Sequence, residues 1–144
     1  MEMTALFAAT KTIAIVGMST RTDRPSHQVA TLMQREGFRI LPVNPAYAGQ
    51  TILGETFVPT LADVPVPVDV VDCFRRSEDM VEVALAAALM RPLPKVLWMQ
   101  LGVENEAAAK IARDAGIAVV QNQCVEIEYL SLKSANRASG ASHP

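Results

Sequence analysis

Apolar residues occur along the chain in short continuous runs, separated by longer segments in which they recur at helical spacing. Continuous runs predict β-strands covered on both faces, because a strand with one exposed face would alternate apolar and polar positions. Five such runs comprise residues 11–16, 38–43, 68–74, 95–101 and 117–120. The pattern therefore predicts a sheet of short, buried strands.

The segments between these runs predict helices with clear start and stop signals. Pro25 lies where a first helical turn tolerates proline, and Gly37 follows that helix as a left-handed C-terminal residue. Shorter helices are predicted for residues 3–10 and 125–132. By contrast, residues 46–67 are rich in Gly and Pro and predict an irregular connection with one helical turn.

Strands that alternate with helices predict an α/β fold with a parallel sheet. Right-handed crossovers then place helices on both faces. We expect a Rossmann-like doubly wound five-stranded parallel sheet with strand order 3-2-1-4-5, counted along the chain. Ligands of such sheets bind beyond the carboxyl ends of the strands. One domain is predicted over residues 1–132, and the polar composition of residues 133–144 predicts a disordered C-terminal tail.

Composition and charge limit the classes of binding partner and the cellular compartment that we expect. The net charge of −2 gives no general attraction to nucleic acid or to an anionic membrane. Cys73 and Cys124 lie far apart, with neither a disulfide framework nor zinc-site spacing, which is typical of a reducing compartment. The chain lacks a signal-peptide pattern and any apolar run near the ~18 residues that span a bilayer. We expect a cytoplasmic protein with no metal site.

The loop at residues 17–26 is the candidate ligand site. It follows the first strand, begins at Gly17 and leads into a helix, so its free N–H groups and the helix dipole favour an anion. Arg24 is a candidate phosphate ligand, with a solvated loop charge as the alternative. Ser19 can meet a phosphate through its hydroxyl, whereas Ser26 is favoured as a helix cap.

Two common nucleotide sites are disfavoured. The dinucleotide fingerprint G-x-G-x-x-G is matched only at Gly17, and no acidic residue follows between Gly37 and Gly54 to hold a ribose. Asn44 and Pro45 lie at that place instead. The P-loop sequence G-K-[ST] is absent from the chain. An NAD or ATP site of standard type is therefore not expected.

Taken in order, five motifs at strand ends resemble one family. They are G-M-S-T-R-T-D-R-P-S at 17–26, L-P-V-N-P at 41–45, V-D-V-V-D-C-F-R-R-S-E at 68–78, W-M-Q-L-G-V at 98–103 and N-Q-C at 122–124. Over about residues 5–132 the chain resembles the small stand-alone CoA-binding proteins of the YccU type. It is also similar to the N-terminal domain of the succinyl-CoA synthetase alpha subunit and of ADP-forming acyl-CoA synthetases.

The resemblance implies a Rossmann-like domain that binds coenzyme A. In the family, the loop after the first strand holds phosphate, the segment after the second strand lies near the adenosine, and the later strand ends flank the ligand. The positions that match these motifs are Gly17, Ser19, Thr20, Arg24, Ser26, Val43, Asn44, Pro45, Phe74, Arg75, Gln100, Gly102, Asn122 and Cys124.

We therefore expect a module that binds coenzyme A or an acyl-CoA without catalytic machinery of its own. The synthetases carry their phosphorylated histidine in a further domain, which this sequence does not contain. The alternative is a small NAD(P)- or acyl-CoA-linked enzyme that uses the same cleft. Two residues keep competing readings: Arg75 can face the ligand or pair with nearby acids, and Cys124 can be capped by CoA or be a small core residue.

Overall fold

A computed structural model of the chain describes residues 2–141. Its strands are β1 (Thr12–Val16), β2 (Arg39–Val43), β3 (Thr51–Ile52), β4 (Glu55–Thr56), β5 (Val70–Cys73), β6 (Val96–Met99) and β7 (Ala118–Val120). Its α-helices are α1 (Met3–Ala9), α2 (Pro25–Arg35), α3 (Met80–Ala88), α4 (Glu106–Asp114) and α5 (Val125–Ala141). Three single 3-10 turns cover Pro45–Tyr47, Leu61–Asp63 and Ser77–Asp79. No helix in this part of the chain is long and apolar enough to cross a membrane.

Five strands form one parallel sheet with the order β2-β1-β5-β6-β7. Helices α1, α2 and α5 pack against one face through a cluster that includes Phe7, Met33 and Trp98. Helices α3 and α4 pack against the other face, together with Leu61 from the connection after β2. The predicted α/β class, the five parallel strands and the helices on both faces are confirmed.

The order of the strands differs from the predicted order in the place of one strand. The third strand of the sheet, β5, lies between β1 and β6, so the order counted along the sheet strands is 2-1-3-4-5. Pro42 gives a physical reason, because a residue without an N–H is disfavoured in an interior strand and β2 is the outer strand here. The position predicted for the third strand is held by Val58, which forms a single parallel bridge with Val43.

Two further segments differ from the sequence prediction. The connection after β2 contains a small antiparallel hairpin, β3–β4, whose turn has Leu53 at φ +51° and Gly54 at φ +77°. Helix α5 continues to Ala141, although a disordered tail was predicted from residue 133. Lys133 forms an ion pair with Glu36 of α2, which ties this part of α5 to the domain. Residues 142–144 of the predicted tail lie outside the described residues.

Candidate functional site

The loops that follow β1, β2, β5, β6 and β7 meet at one end of the sheet, which we call the carboxyl end. All the predicted site residues lie there, because the five strands are parallel. Helix α2, which follows β1, packs on one face, and α3, which follows β5, packs on the other. The chain therefore leaves β1 and β5 in opposite directions, and a crevice opens between their ends.

Gly17 shapes the start of this crevice. Its φ of +84° is a left-handed conformation that side chains rarely adopt, and its N–H donates to the carbonyl of Val43 at 2.9 Å. A Cβ atom at this position would lie 2.5 Å from the carbonyl oxygen of Phe74. The glycine is therefore required by the close approach of two strand ends, in addition to any approach of a ligand.

A serine pair folds the loop between β1 and α2. The buried hydroxyl of Ser26 accepts a hydrogen bond from the N–H of Ser19 at 3.0 Å, and the Ser19 hydroxyl accepts from the N–H of Arg21 at 3.0 Å. Ser26 is thus not the helix cap that the sequence predicted. The N-cap residue is Arg24, with Pro25 in the first turn and no side chain capping the helix.

This folding leaves N–H donors without a partner near the start of α2. Within residues 2–141, the backbone N–H groups of Thr20 and Ser26 have no protein acceptor, and that of Met18 also lacks one but belongs to a fully buried residue. Unpaired N–H groups beside a helix N-terminus carry partial positive charge that favours an anion. The loop can therefore hold phosphate oxygens through its backbone.

The arginines of the carboxyl end differ in how they are paired. Arg21 forms an ion pair with Asp23 at 3.0 Å. Asp79 is shared by Arg76 at 3.2 Å and Arg75 at 3.4 Å, so the structure contains the predicted alternative in which Arg75 pairs with a nearby acid. Among the described residues, no carboxylate lies within 4.0 Å of the Arg24 guanidinium. Arg24 is therefore the cation of the loop that is most available to a ligand.

Asn44 serves the architecture of the site through both ends of its amide. Its Nδ2 donates to the carbonyl of Met18 at 2.9 Å, and its Oδ1 accepts from the N–H of Ala46 at 3.0 Å. The side chain thereby ties the loop after β1 to the turn after β2. Beside it, Val43 is buried and Pro45 is exposed, so Pro45 is the member of the segment that a ligand can reach most directly.

Two cavities flank the end of β1. A polar cavity of about 430 Å³ is lined by Gly17, Ser19, Arg21, Arg24, Pro25, Ser26, Tyr47 and Phe74. A second cavity of about 320 Å³ is mainly apolar and is lined by Val16, Val43, Pro45, Pro59, Thr60, Leu61, Arg75, Glu82, Val83 and Ala86. Eight of the predicted residues of the first three sheet strands therefore line one cavity or the other, with Arg75 on the apolar side, whereas Thr20 and Asn44 line neither.

A third cavity, of about 400 Å³, lies between the C-terminal end of α3 and the proline-rich segment before β5. Its lining is apolar except for Arg91. It lies at the amino end of β5, away from the carboxyl ends of the parallel strands where such sheets bind their ligands. We therefore place the candidate site at the crevice between β1 and β5.

Gln100 points into the protein, where it meets a buried acid. Its Nε2 donates to Oδ1 of Asp72 at 2.5 Å, and both side chains are almost fully buried. Among the described residues, the other carboxylate oxygen of Asp72, Oδ2, is the one buried side-chain nitrogen or oxygen atom without a hydrogen-bond partner. Burial raises the pKa of Asp72 to about 7, against the opposing effects of Gln100 and the Cys73 N–H. The sequence signal for this pair was a lone acid inside an apolar strand.

The last three predicted residues form the far wall of the carboxyl end. The N–H of Gly102 donates to Oδ1 of Asn122 at 2.7 Å, and Asn122 itself has φ +56°. Cys124 precedes α5 and is buried, which raises the pKa of its thiol although the N–H groups of Ile127 and Glu126 oppose the shift. None of these residues, nor Gln100, lines the two cavities beside β1.

The fold is a Rossmann-like doubly wound α/β domain with a crevice between the ends of β1 and β5. The sequence profile described as the CoA binding domain matches residues 11–129. The chain belongs to this CoA-binding domain family.

Similar proteins span nearly the same length. The uncharacterised protein YneT of Bacillus subtilis is 35% identical over 132 residues, which is 92% of this chain and 95% of YneT. The Thermus thermophilus protein cell-free ID.343 has a structure with TM-score 0.86 and 33% identity, covering 90% of this chain and 96% of that one.

A larger enzyme contains the same fold. The dinucleotide-forming acetyl-coenzyme A synthetase 1 of Candidatus Korarchaeum cryptofilum matches with TM-score 0.65 and 21% identity. The match covers 78% of this chain and 26% of that enzyme. At this identity the likeness concerns the fold alone.

Proposed function

We propose that this protein binds coenzyme A or an acyl-CoA in the crevice between β1 and β5, with the ligand's phosphates over residues 17–26. The observation that carries the proposal is the loop itself. It combines the free backbone N–H of Ser26, an uncapped helix N-terminus and the unpaired Arg24 in one polar cavity. Membership of the CoA-binding domain family supports this choice among phosphate-bearing ligands.

The second cavity supports a ligand that is more than a phosphate. Coenzyme A joins a strongly charged nucleotide to an uncharged arm, so it needs a polar region and a less polar region side by side. The two cavities lie on either side of the Gly17 turn and differ in this way. Gly17, Phe74 and Arg75 lie where one ligand would pass from one cavity to the other.

We propose a binding module without its own catalytic machinery. Among residues 2–141, no histidine or cysteine lines either cavity, and the arginines that line them are suited to holding charge. Neither cysteine is in a disulfide, which supports a cytoplasmic setting. We do not propose the reaction of the larger synthetases for this protein, because the match covers only about a quarter of such a chain.

Isothermal titration calorimetry of the purified protein with coenzyme A, dephospho-CoA and NAD tests the proposal. We expect saturable binding of coenzyme A below millimolar concentration. We expect weaker binding of dephospho-CoA, because it lacks one phosphate, and no binding of NAD, because no acid follows β2 to hold its ribose. Absence of coenzyme A binding, or equal binding of NAD, would contradict the proposal.

A further inference from the structure

Asp72 lies directly beneath the crevice and has no role in its lining. In the register of the sheet it is between Ile15 of β1 and Trp98 of β6, two residues before Phe74. Its side chain is fully buried, although carboxylates are seldom buried without a charged partner. An acid in the middle of the central strand therefore calls for a physical explanation.

The hydrogen bonds of Asp72 satisfy only half of the carboxyl group. Gln100 donates to Oδ1, whereas Oδ2 is buried without a partner. An ionised carboxylate is poorly stabilised by one neutral amide in such a place, and a neutral carboxylic acid is favoured. The shift of its pKa to about 7 agrees with this geometry.

The charged and titratable groups around Asp72 do not replace the missing partner. Strands β1 and β6 contribute none within their bounds, and on β5 the buried thiol of Cys73 is the adjacent titratable group. At the start of α5 stands the buried thiol of Cys124, followed by Glu126. In the first turns of α2 stands His27, whose ring lies 3.4 Å from the Thr31 hydroxyl.

We propose that Asp72 couples ligand binding at the crevice to the uptake of a proton. This inference rests on the proposed binding of coenzyme A. The phosphates would lie over the Gly17 loop, roughly 10 Å from Asp72, since two residues of strand span about 7 Å. Their negative charge opposes ionisation of the buried carboxyl, and the protein between them screens this effect poorly.

The coupling has a definite sign and size. At an effective dielectric constant of about 20, one net negative charge at about 10 Å raises the pKa of Asp72 by about one unit, and about one net charge is what we assign to the ligand once Arg24 and the helix N-terminus offset the rest of its phosphate charge. Near pH 7.5 the unliganded carboxyl is mostly ionised and the liganded carboxyl mostly neutral, so about half a proton is taken up for each ligand bound. By the same linkage, coenzyme A binds about tenfold more tightly well below pH 7 than well above it.

The experiment is calorimetric titration of coenzyme A at pH 7.5 in buffers of different ionisation enthalpy, with the wild type and Asp72→Asn. The wild type should take up about half a proton more than the variant. The ionisation of the ligand's own phosphate is common to both proteins, so it cancels in the difference. Asp69→Asn, at the residue that immediately precedes β5, and His27→Gln are matched controls that should retain the uptake.

A second measurement does not depend on a variant. The carboxyl carbon of Asp72, followed by ¹³C NMR in the wild type, should titrate at a higher pH when coenzyme A is bound. Binding of coenzyme A without any uptake that depends on Asp72, or an unchanged Asp72 titration, overturns this inference alone. Absence of coenzyme A binding at every pH overturns the proposed function and this inference with it.

Discussion

The Cβ position of Gly17 lies 2.5 Å from the carbonyl oxygen of Phe74. The atom in the way belongs to the backbone of the neighbouring strand, so it cannot move aside as a flexible side chain would. The ends of β1 and β5 are therefore closer at this point than any residue with a side chain permits. This contact sets the floor of the crevice in which we place the ligand.

Gly17→Ala should lower the free energy of unfolding by more than the strain of a left-handed conformation, which is about 1 kcal/mol. The excess reflects the forced separation of β1 and β5. Gly49→Ala is the matched control, since Gly49 has φ +87° and nothing within 4 Å of its Cβ position. Urea denaturation should show a clearly larger loss for Gly17→Ala, and equal losses would contradict the role given to the contact.

Arg24→Ala should weaken coenzyme A binding about 10- to 100-fold, the range expected for a lost charge-assisted hydrogen bond. The fold should be retained, because the Arg24 side chain makes no cap or ion pair with the described residues. Arg21→Ala is the control, since Arg21 is already paired with Asp23. Calorimetry that finds equal effects for the two variants would refute the distinction between them.

Ser26→Ala should destabilise the loop after β1. The N–H of Ser19 would lose its acceptor, at a cost of about 1–2 kcal/mol in the free energy of unfolding. Because the same loop holds the proposed phosphates, coenzyme A affinity should fall with it. Thermal unfolding and calorimetry measure the two effects, with the exposed Ser134→Ala as a control expected to change neither. An unchanged affinity in a destabilised Ser26→Ala protein would place the ligand elsewhere.

Asp72→Asn should make the protein more stable at pH 8 than the wild type. The pKa of Asp72 is raised from 3.8 to about 7 by folding, so the folded state binds more protons than the unfolded state between these values. The contribution of the Asp72 carboxyl to the free energy of unfolding of the wild type is therefore fully present below about pH 4 and is lost as the pH rises toward 7. The difference between the variant and the wild type should grow by a few kcal/mol over that window in urea denaturation. A difference that does not depend on pH would show that Asp72 is ionised throughout.

The sequence was sufficient to predict the strands because each is a continuous apolar run. Glycines at the predicted turns also behave as expected, with Gly37 at φ +105° after α2. The order of the strands was harder to predict, since it depends on a connection of more than twenty residues without an α-helix. Pro42 was a usable signal, because a residue lacking an N–H favours an outer strand.

The sequence was sufficient to predict which strand ends form the candidate site, but not the direction in which each side chain points. Every predicted position lies at the carboxyl end of the sheet, yet Gln100 turns inward to Asp72 and Ser26 turns to Ser19. The direction of each side chain depends on which buried polar groups need a hydrogen-bond partner, and sequence position alone does not show which groups those are. Whether these positions contact a ligand stays a prediction.

The segment around Val58 bears on how copies of this protein can associate. Val58 donates its N–H to the carbonyl of Pro42 and accepts from the N–H of Asn44, so it pairs with the outer side of β2 at its carboxyl end. Among the described residues, β7 pairs with β6 alone and its other side is open. An open edge of this kind can pair with a strand of a second copy, whereas the bridge at Val58 hinders such pairing at the carboxyl end of β2.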